Sequence, residues 1–264
     1  MNNYSEYHVP KSLSLFIKKI WTLDNLEGPN PIVDKGALPN GCFNIAIISG
    51  DGLEISHKNN IQKLNKGTYF CGQMTESLGI EIFPYSKATM VQLYPWTPAH
   101  FTHQSMHNYS DRIFSTQEIV NEIDIKVGAS CGDICRELAK RWWPYFRENQ
   151  LSLNIHLATS MIMVASGEIT IDVVATNMEC SMRYIQKLFK KTIGLSPKKF
   201  ADIIRLRNIV DSLAFGEKSK LNLTSLAISN NFYDQAHFTN AFRNMFKTTP
   251  KQFNNNDFFL SYLK

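Results

Sequence analysis

Cysteine is scarce in this 264-residue chain, and its arrangement excludes one class of protein at once. The five thiols stand at Cys42, Cys71, Cys131, Cys135 and Cys180. An odd, scattered set without a CxxC pair is no disulfide framework. Buried structural thiols are the reading for all five, with Cys131 and Cys135 able to share a helix face. Long apolar runs are also missing. No stretch reaches the roughly 18 residues that a membrane-spanning helix needs. The segment Met1–Lys11 lacks the apolar centre of a signal peptide. The expected location is the cytoplasm, with no membrane partner. Catalytic signatures are absent as well: there is no GxGxxG, P-loop, GxSxG or HExxH. No enzyme activity and no cofactor is expected.

What is present fits a globular protein of two modest domains. Hydrophobic residues make up 44% of the chain and charged residues 19%, enough apolar material for a core in each domain. Charge is unevenly spread. Residues 151–264 carry 14 Lys+Arg against 8 Asp+Glu, whereas residues 1–150 carry 14 against 15. A basic excess confined to one segment is the electrostatic footprint of nucleic-acid binding.

The first half reads as strands. Phe43–Ile48 is an apolar run between Pro39-Asn40-Gly41 and Gly50-Asp51-Gly52, both good turn chemistry. Thr68–Cys71 and Ala88–Tyr94 are rich in β-branched and aromatic residues. The expectation is an antiparallel, barrel-like sheet with one or two helices. From about residue 116 the period becomes helical, with Ile119, Ile123, Ile134, Leu138 and Trp142 at helix-like intervals and Pro144 as a stop. Residues 144–152 read as a junction. The chain is therefore expected to be α+β, with a β-rich sensory or dimerisation domain at 1–145 and an all-α domain at 146–264. Trp142 and Trp143, near the junction, are expected to pack between domains or subunits.

The strongest signal is a repeat at an offset of 53 residues. Ser181, Ile185, Leu188, Phe189, Pro197 and Phe200 in the first copy match Asp234, Phe238, Ala241, Phe242, Pro250 and Phe253 in the second. Ser and Asp are good helix N-caps. The apolar residues that follow line one helix face. The opposite faces carry Arg183, Gln186, Lys187 and Lys190, and Gln235, Thr239, Asn240 and Arg243. Neither face holds a carboxylate, and these side chains donate to base edges and phosphates. A short amphipathic helix precedes each copy: Ile171, Val174, Ala175 and Met178, then Leu223, Leu226, Ala227 and Phe232. Short helix, tight turn and polar-faced second helix make a helix-turn-helix.

Residues 152–253 resemble the DNA-binding domain of the AraC/XylS transcription regulators, and NFYDQAHFTNAFRNMFKTTPKQF (231–253) resembles that family's signature second unit. The resemblance implies two helix-turn-helix units joined by one long helix, here about Pro197 to Leu213. Double-stranded DNA is then the partner, with RNA polymerase and a second copy of the chain as further candidates. By position, Arg183, Gln186, Lys187, Gln235, Ala236, Thr239 and Asn240 fall where the family faces bases, beside the cap Ser181; Lys190, Lys191 and Arg243 fall as phosphate contacts. Three positions depart from the family's frequent glycine, namely Glu179, Asn231 and Lys247, and Ile209 stands where alanine is usual. Residues 12–125 resemble, on IWTLD (20–24), ALPNGCFNIAI (37–47), FCGQ (70–73) and MVQLYPWTPAHF (90–101), an N-terminal domain of some family members, which implies small-molecule sensing, dimerisation, or both.

Two further clusters stand out. His100, His103 and His107 sit at i, i+3 and i+7 and would share a face on a helix, the arrangement of a metal site; no acidic or thiol ligand lies among them, and a polar surface is the simpler reading. Trp21, Phe43, Tyr69, Tyr94 and Trp96, with Phe70, are candidates for an apolar ligand pocket. The function expected is sequence-specific transcription regulation modulated by a small molecule. The rivals are a DNA-binding regulator without an effector and an enzyme fused to a DNA-binding module.

Overall fold

The computed structural model describes residues 3–116, 125–145, 150–215 and 223–259. Among the described residues, ten strands occupy the first part, in two antiparallel sheets. One has the order β1 (Tyr4–Tyr7), β2 (Ile17–Asn25), β9 (Ser86–Leu93), β4 (Phe43–Ser49), β7 (Gly67–Cys71), β10 (Ile113–Ser115); the other has the order β3 (Ile32–Ala37), β8 (Leu78–Ile82), β5 (Leu53–His57), β6 (Asn60–Leu64). Neither closes on itself among the described residues, so the barrel-like expectation is corrected to two stacked open sheets. The strands read from sequence are present as β4 (Phe43–Ser49), β7 (Gly67–Cys71) and β9 (Ser86–Leu93). Their bounding turns use left-handed glycines, Gly41, Gly50 and Gly52.

The continuous apolar run of β4 has a simple cause: both its faces are covered. Phe43, Ile45 and Ile47 point to a core shared with Phe16, Phe70, Val91 and the helix α2 (Cys131–Trp142). Ala46 and Ile48 point the other way, to a core shared with β5 (Leu53–His57) and β8 (Leu78–Ile82). The order is four-stranded sheet, six-stranded sheet, helix. Helix α2 begins at Ser130, whose hydroxyl accepts from the Asp133 N–H, and buries Ile134, Leu138 and Trp142. Ile119 and Ile123 lie outside the described residues. Trp142 packs inside this core, 4.7 Å from Phe101 and 5.8 Å from Phe16, whereas Trp143 is 74% exposed. Trp142 thus belongs to the first part's own core and does not pack between domains.

The second part is helical: α3 (Gln150–Val164), α4 (Ile171–Asn177), α5 (Met182–Thr192), α6 (Pro197–Phe215), α7 (Leu223–Ser229) and α8 (Gln235–Phe246). One core runs through all of them, with Phe189, Phe200, Phe238 and Phe242 at its centre. Ile209, the departure from alanine, is buried in it. Leu38, Trp96 and Ala99 of the first part join the same core, so the two parts share an apolar contact. Beyond α8, Phe258 bridges Gly36 in parallel and the Phe259 N–H donates to the Gly36 carbonyl at 2.8 Å. This tail lies on the edge strand β3 (Ile32–Ala37) and was not foreseen. No described helix is long and apolar enough to cross a membrane.

Candidate nucleic-acid interface

Both recognition helices start as the caps dictate. The Ser181 hydroxyl accepts from the Tyr184 N–H at 3.2 Å, and the Asp234 carboxylate accepts from the His237 N–H at 2.7 Å. Ser181 is therefore engaged as a cap. Ile185, Leu188 and Phe189 of α5, and Phe238 and Phe242 of α8, are buried as their spacing requires. Ala175 and Ala227 are buried against them, small enough for close helix contact.

The turns repeat one geometry despite their different residues. Glu179 and Asn231 are both left-handed, at φ 50° and 56°. At each, two hydrogen bonds close the preceding helix. Cys180 N–H donates to Ala175 O and Glu179 N–H to Thr176 O, both at 3.0 Å; Phe232 N–H donates to Ala227 O at 3.0 Å and Asn231 N–H to Ile228 O at 3.1 Å. This is the Schellman closure usually built with glycine. The second turn is one residue longer: one residue separates Glu179 from its cap Ser181, two separate Asn231 from Asp234. Lys247, the third departure, is also left-handed, at φ 58°, and caps α8.

The outward faces are exposed. Arg183, Gln186, Lys187, Lys190 and Lys191 on α5 are all solvent-facing, as are Gln235, Ala236, Asn240 and Arg243 on α8; Thr239 is half-buried. From Ser181 to Ala201 there are six Lys or Arg and no Asp or Glu; from Gln235 to Asn256 there are three and none. Two hydrogen bonds tie these faces to neighbouring helices. Asn154 of α3 donates to the Tyr184 hydroxyl at 2.6 Å. The Thr224 hydroxyl of α7 donates to Gln235 Oε1 at 2.8 Å. Neither Tyr184 nor Thr224 was singled out in the sequence. Tyr184 sits one turn before Lys187, whereas Thr224 lies on the preceding helix, eleven residues from Gln235, and leaves no local signal.

Residues 174–256 match the family described as "Helix-turn-helix domain". This segment is an AraC-type helix-turn-helix domain. The AraC-type domain is one of DNA-binding transcription regulators. Residues 5–115 match a second family, described as "Domain of unknown function (DUF6597)". The chain is 27% identical over 88 residues to the probable transcription factor PqrA of Proteus vulgaris, covering 33% of this chain and 70% of that one. Among solved structures it is similar to ToxT from Vibrio cholerae, at 7% identity and a TM-score of 0.48 over 95% of this chain and 97% of that one. It is also similar to a probable AraC family regulator from Rhodopseudomonas palustris, at 28% identity and a TM-score of 0.34 over 37% of this chain and 90% of that one.

The two other clusters are not assembled as expected. Helix α1 (Pro98–Phe101) stops before His103, so the three histidines share no helix face. His100 is buried with its ring edge-on to Phe16 at 4.9 Å, His103 is exposed, and His107 Nδ1 lies 3.2 Å from the Gly194 carbonyl oxygen. No group of three or more metal-ligating side chains occurs among the described residues. Of the aromatic candidates, Trp21 lines the cavity between the two sheets and the other five do not. That cavity, about 80 Å³, is walled by Leu23, Ala46, Ile55, Met74, Leu78 and Met90 among others. Phe43 stacks on Phe70 at 5.5 Å on the opposite face of the sheet. The Tyr69 hydroxyl donates to Asn65 O. Tyr94 stacks on Trp96 at 4.5 Å, and Trp96 on His156 of α3 at 4.1 Å, between the two parts. The cavity's other polar residues are Asn40, Asn44 and Gln92: Asn40 read only as a turn residue, and Asn44 and Gln92 were missed because amides on strands carry no distinguishing pattern.

Proposed function

We propose that α5 and α8 read DNA as a pair and that a small molecule in the N-terminal cavity modulates this. One observation carries the first half: two exposed, carboxylate-free helix faces that bear cations, set on one shared core. Arg183, Gln186 and Lys187, with Gln235, Ala236, Thr239 and Asn240, face bases; Lys190, Lys191 and Arg243 face phosphates. Ala236 has no hydrogen-bonding group, so the second unit reads fewer donors and acceptors than the first. We assign the domain boundary after residue 145, a reading supported by α2 packing with the sheets and α3 with the helical core.

Gel-shift titration of full-length protein across salt concentrations tests the reading, since phosphate contacts make affinity fall steeply with salt. Arg183→Ala and Asn240→Ala are expected to relax sequence preference at separate sites about one helical turn apart. Equal weakening on every sequence, or no binding under any condition, refutes the assignment.

The cavity supports an effector that is small and uncharged. No charged side chain lines it. The Trp21 indole Nε1 and Asn44 Oδ1 are buried without a hydrogen-bond partner among the described residues. Its volume is well under the roughly 300 Å³ of common ligand sites, so a larger molecule must part the sheets. Thermal-shift screening against small neutral amides and alcohols, with Ala46→Phe as the filled control, is the test. A shift that survives in the filled variant places the ligand elsewhere.

A further inference from the structure

Gly194 and Lys247 hold equivalent positions in the two repeats, 53 residues apart, each left-handed just after its recognition helix. The N-terminal part grips the chain at both. At the first, Ser110 Oγ donates to the Gly194 carbonyl at 2.9 Å, and His107 Nδ1 lies 3.2 Å from the same oxygen. At the second, the Ser77 N–H donates to Met245 O at 2.7 Å, and Glu76 pairs with Lys247 at 2.5 Å.

One carboxylate ties the two grips together. Asp111, next to Ser110, accepts from the Thr75 N–H at 2.7 Å and the Thr75 hydroxyl at 2.8 Å, while Thr75 adjoins Glu76. Lys58 pairs with it at 2.5 Å and His57 Nε2 lies 3.6 Å away. The Asp111 N–H donates to Gln73 O at 2.9 Å. Loops 73–77 and 106–111 are thus one cross-braced unit touching the end of both recognition helices.

We infer that Asp111 is a positioning residue for DNA recognition: it makes these loops a bracket that fixes the spacing between α5 and α8. The inference rests on the reading that both helices contact DNA. The helices are also joined by α6 and the shared apolar core, so the bracket is a second connection. Its loss loosens the spacing and leaves each unit intact. The property it controls is therefore tolerance to the distance between the two half-sites. One inserted base pair moves them about 3.4 Å apart and turns them by roughly a tenth of a turn.

The test uses full-length protein and the duplex it selects from a random library, then the same duplex with one or two base pairs inserted between the half-sites. Wild type is expected to lose about tenfold in affinity for one inserted pair, in the range of a mismatched base pair. Asp111→Asn is expected to lose about threefold or less, with circular dichroism confirming a folded chain. Glu76→Lys is expected to flatten the spacing profile as well, and adding Lys247→Glu to restore it by reversing the pair. Profiles that run parallel to wild type in all variants overturn the bracket, because a merely structural role lowers affinity by one factor on every duplex. Wild type that selects no duplex at all overturns the function reading itself, and the inference with it.

Discussion

Gly194 and Lys247 are the same position of one repeat, yet substitution is expected to cost very different amounts at the two. Gly194 has φ 88°, and a Cβ built there lies 2.5 Å from the Met106 carbonyl oxygen and 2.8 Å from its carbon. Those are backbone atoms, so they yield only if the loop moves. Gly194→Ala therefore combines a left-handed penalty of about 1–2 kcal/mol with overpacking of about 1–3 kcal/mol, offset by roughly 0.5–1 kcal/mol of unfolded-chain entropy. A net loss of about 3 kcal/mol is expected. For a chain of this size that lowers Tm by about 6–12 °C. Lys247→Gly is expected to cost little, between no change and a loss of about 1 kcal/mol. It relieves a left-handed penalty of about 1 kcal/mol and gives up a similar sum of chain entropy. It also loses the Glu76 pair, with side chains 54% and 26% exposed, worth at most about 1 kcal/mol. Thermal unfolding followed by far-UV circular dichroism, with chemical denaturation beside it, gives both numbers. If Gly194→Ala is as stable as wild type, the contact between the first unit and residues 106–110 is not held as described.

Glu179→Gly is expected to stabilise by about 0.5 kcal/mol, since Glu gains no local benefit from left-handed backbone; Asn231→Gly is expected to do less, because asparagine tolerates this conformation and its amide donates to Glu168 at 3.0 Å. Equilibrium denaturation ranks the two, and an inverted order refutes the argument. Burial pushes the His57 imidazole below its ordinary value of 6.5, only partly countered by Asp111. The unfolded chain then binds a proton that the folded one refuses, so stability is full above 6.5 and falls as pH drops below it. His57→Gln is expected to flatten the fall in Tm across that window. Asp111 behaves in the same direction at lower pH: burial raises its pKa, but hydrogen bonds from Lys58 and Thr75 outweigh this and hold the carboxyl below 3.8, so its contribution disappears as pH falls through that range. Thr224→Val frees Gln235 Oε1 and is expected to raise preference for adenine, which needs that oxygen for a bidentate contact, by about five- to tenfold for one hydrogen bond; selection from a random duplex library reads it, and Thr224→Ser is expected to keep the wild-type preference.

The helical third was legible because its signals are local. A cap and apolar residues at +4, +7 and +8 lie within about two turns, and a proline follows at a fixed +16, so each repeat announces itself. The strands were legible where turn glycines and β-branched runs coincide, at Phe43–Ser49 and Gly67–Cys71. β6 (Asn60–Leu64) was not, since only Leu64 of its five residues is buried. The aromatic pocket failed for a reason of parity. In β4 the residues alternate between two covered faces, so Phe43 belongs to the helix-side core and its neighbour Asn44 to the cavity. Aromatic character says nothing about which face a residue takes. The bracket was invisible because it joins residues from 57 to 111 with residues 194 and 245–247 through polar contacts that leave no periodic trace.

The two units differ in ways that bear on control. The first has the shorter turn, six cations and a glycine end wedged against backbone. The second has the longer turn, three cations, Ala236 on its reading face and an end held by the Ser77–Met245 hydrogen bond and a half-exposed ion pair. The second unit's end is thus held by polar contacts, without a backbone wedge. Its supports converge on the cavity: Met74 and Leu78 line it, Glu76 and Ser77 between them hold α8, and the tail after α8 lies on Gly36 with Phe259 6.4 Å from the Trp21 ring. The first unit reaches the same wall through Gly194, Ser110 and Asp111, and through Leu38, which lines the cavity and joins the core of α5. A displacement of the wall at 74–78 therefore acts on α8 directly and on α5 through Asp111. On this geometry a molecule that enters the proposed effector cavity is expected to change the second unit's placement first, so that affinity for a single first half-site stays nearly constant while affinity for the paired site moves.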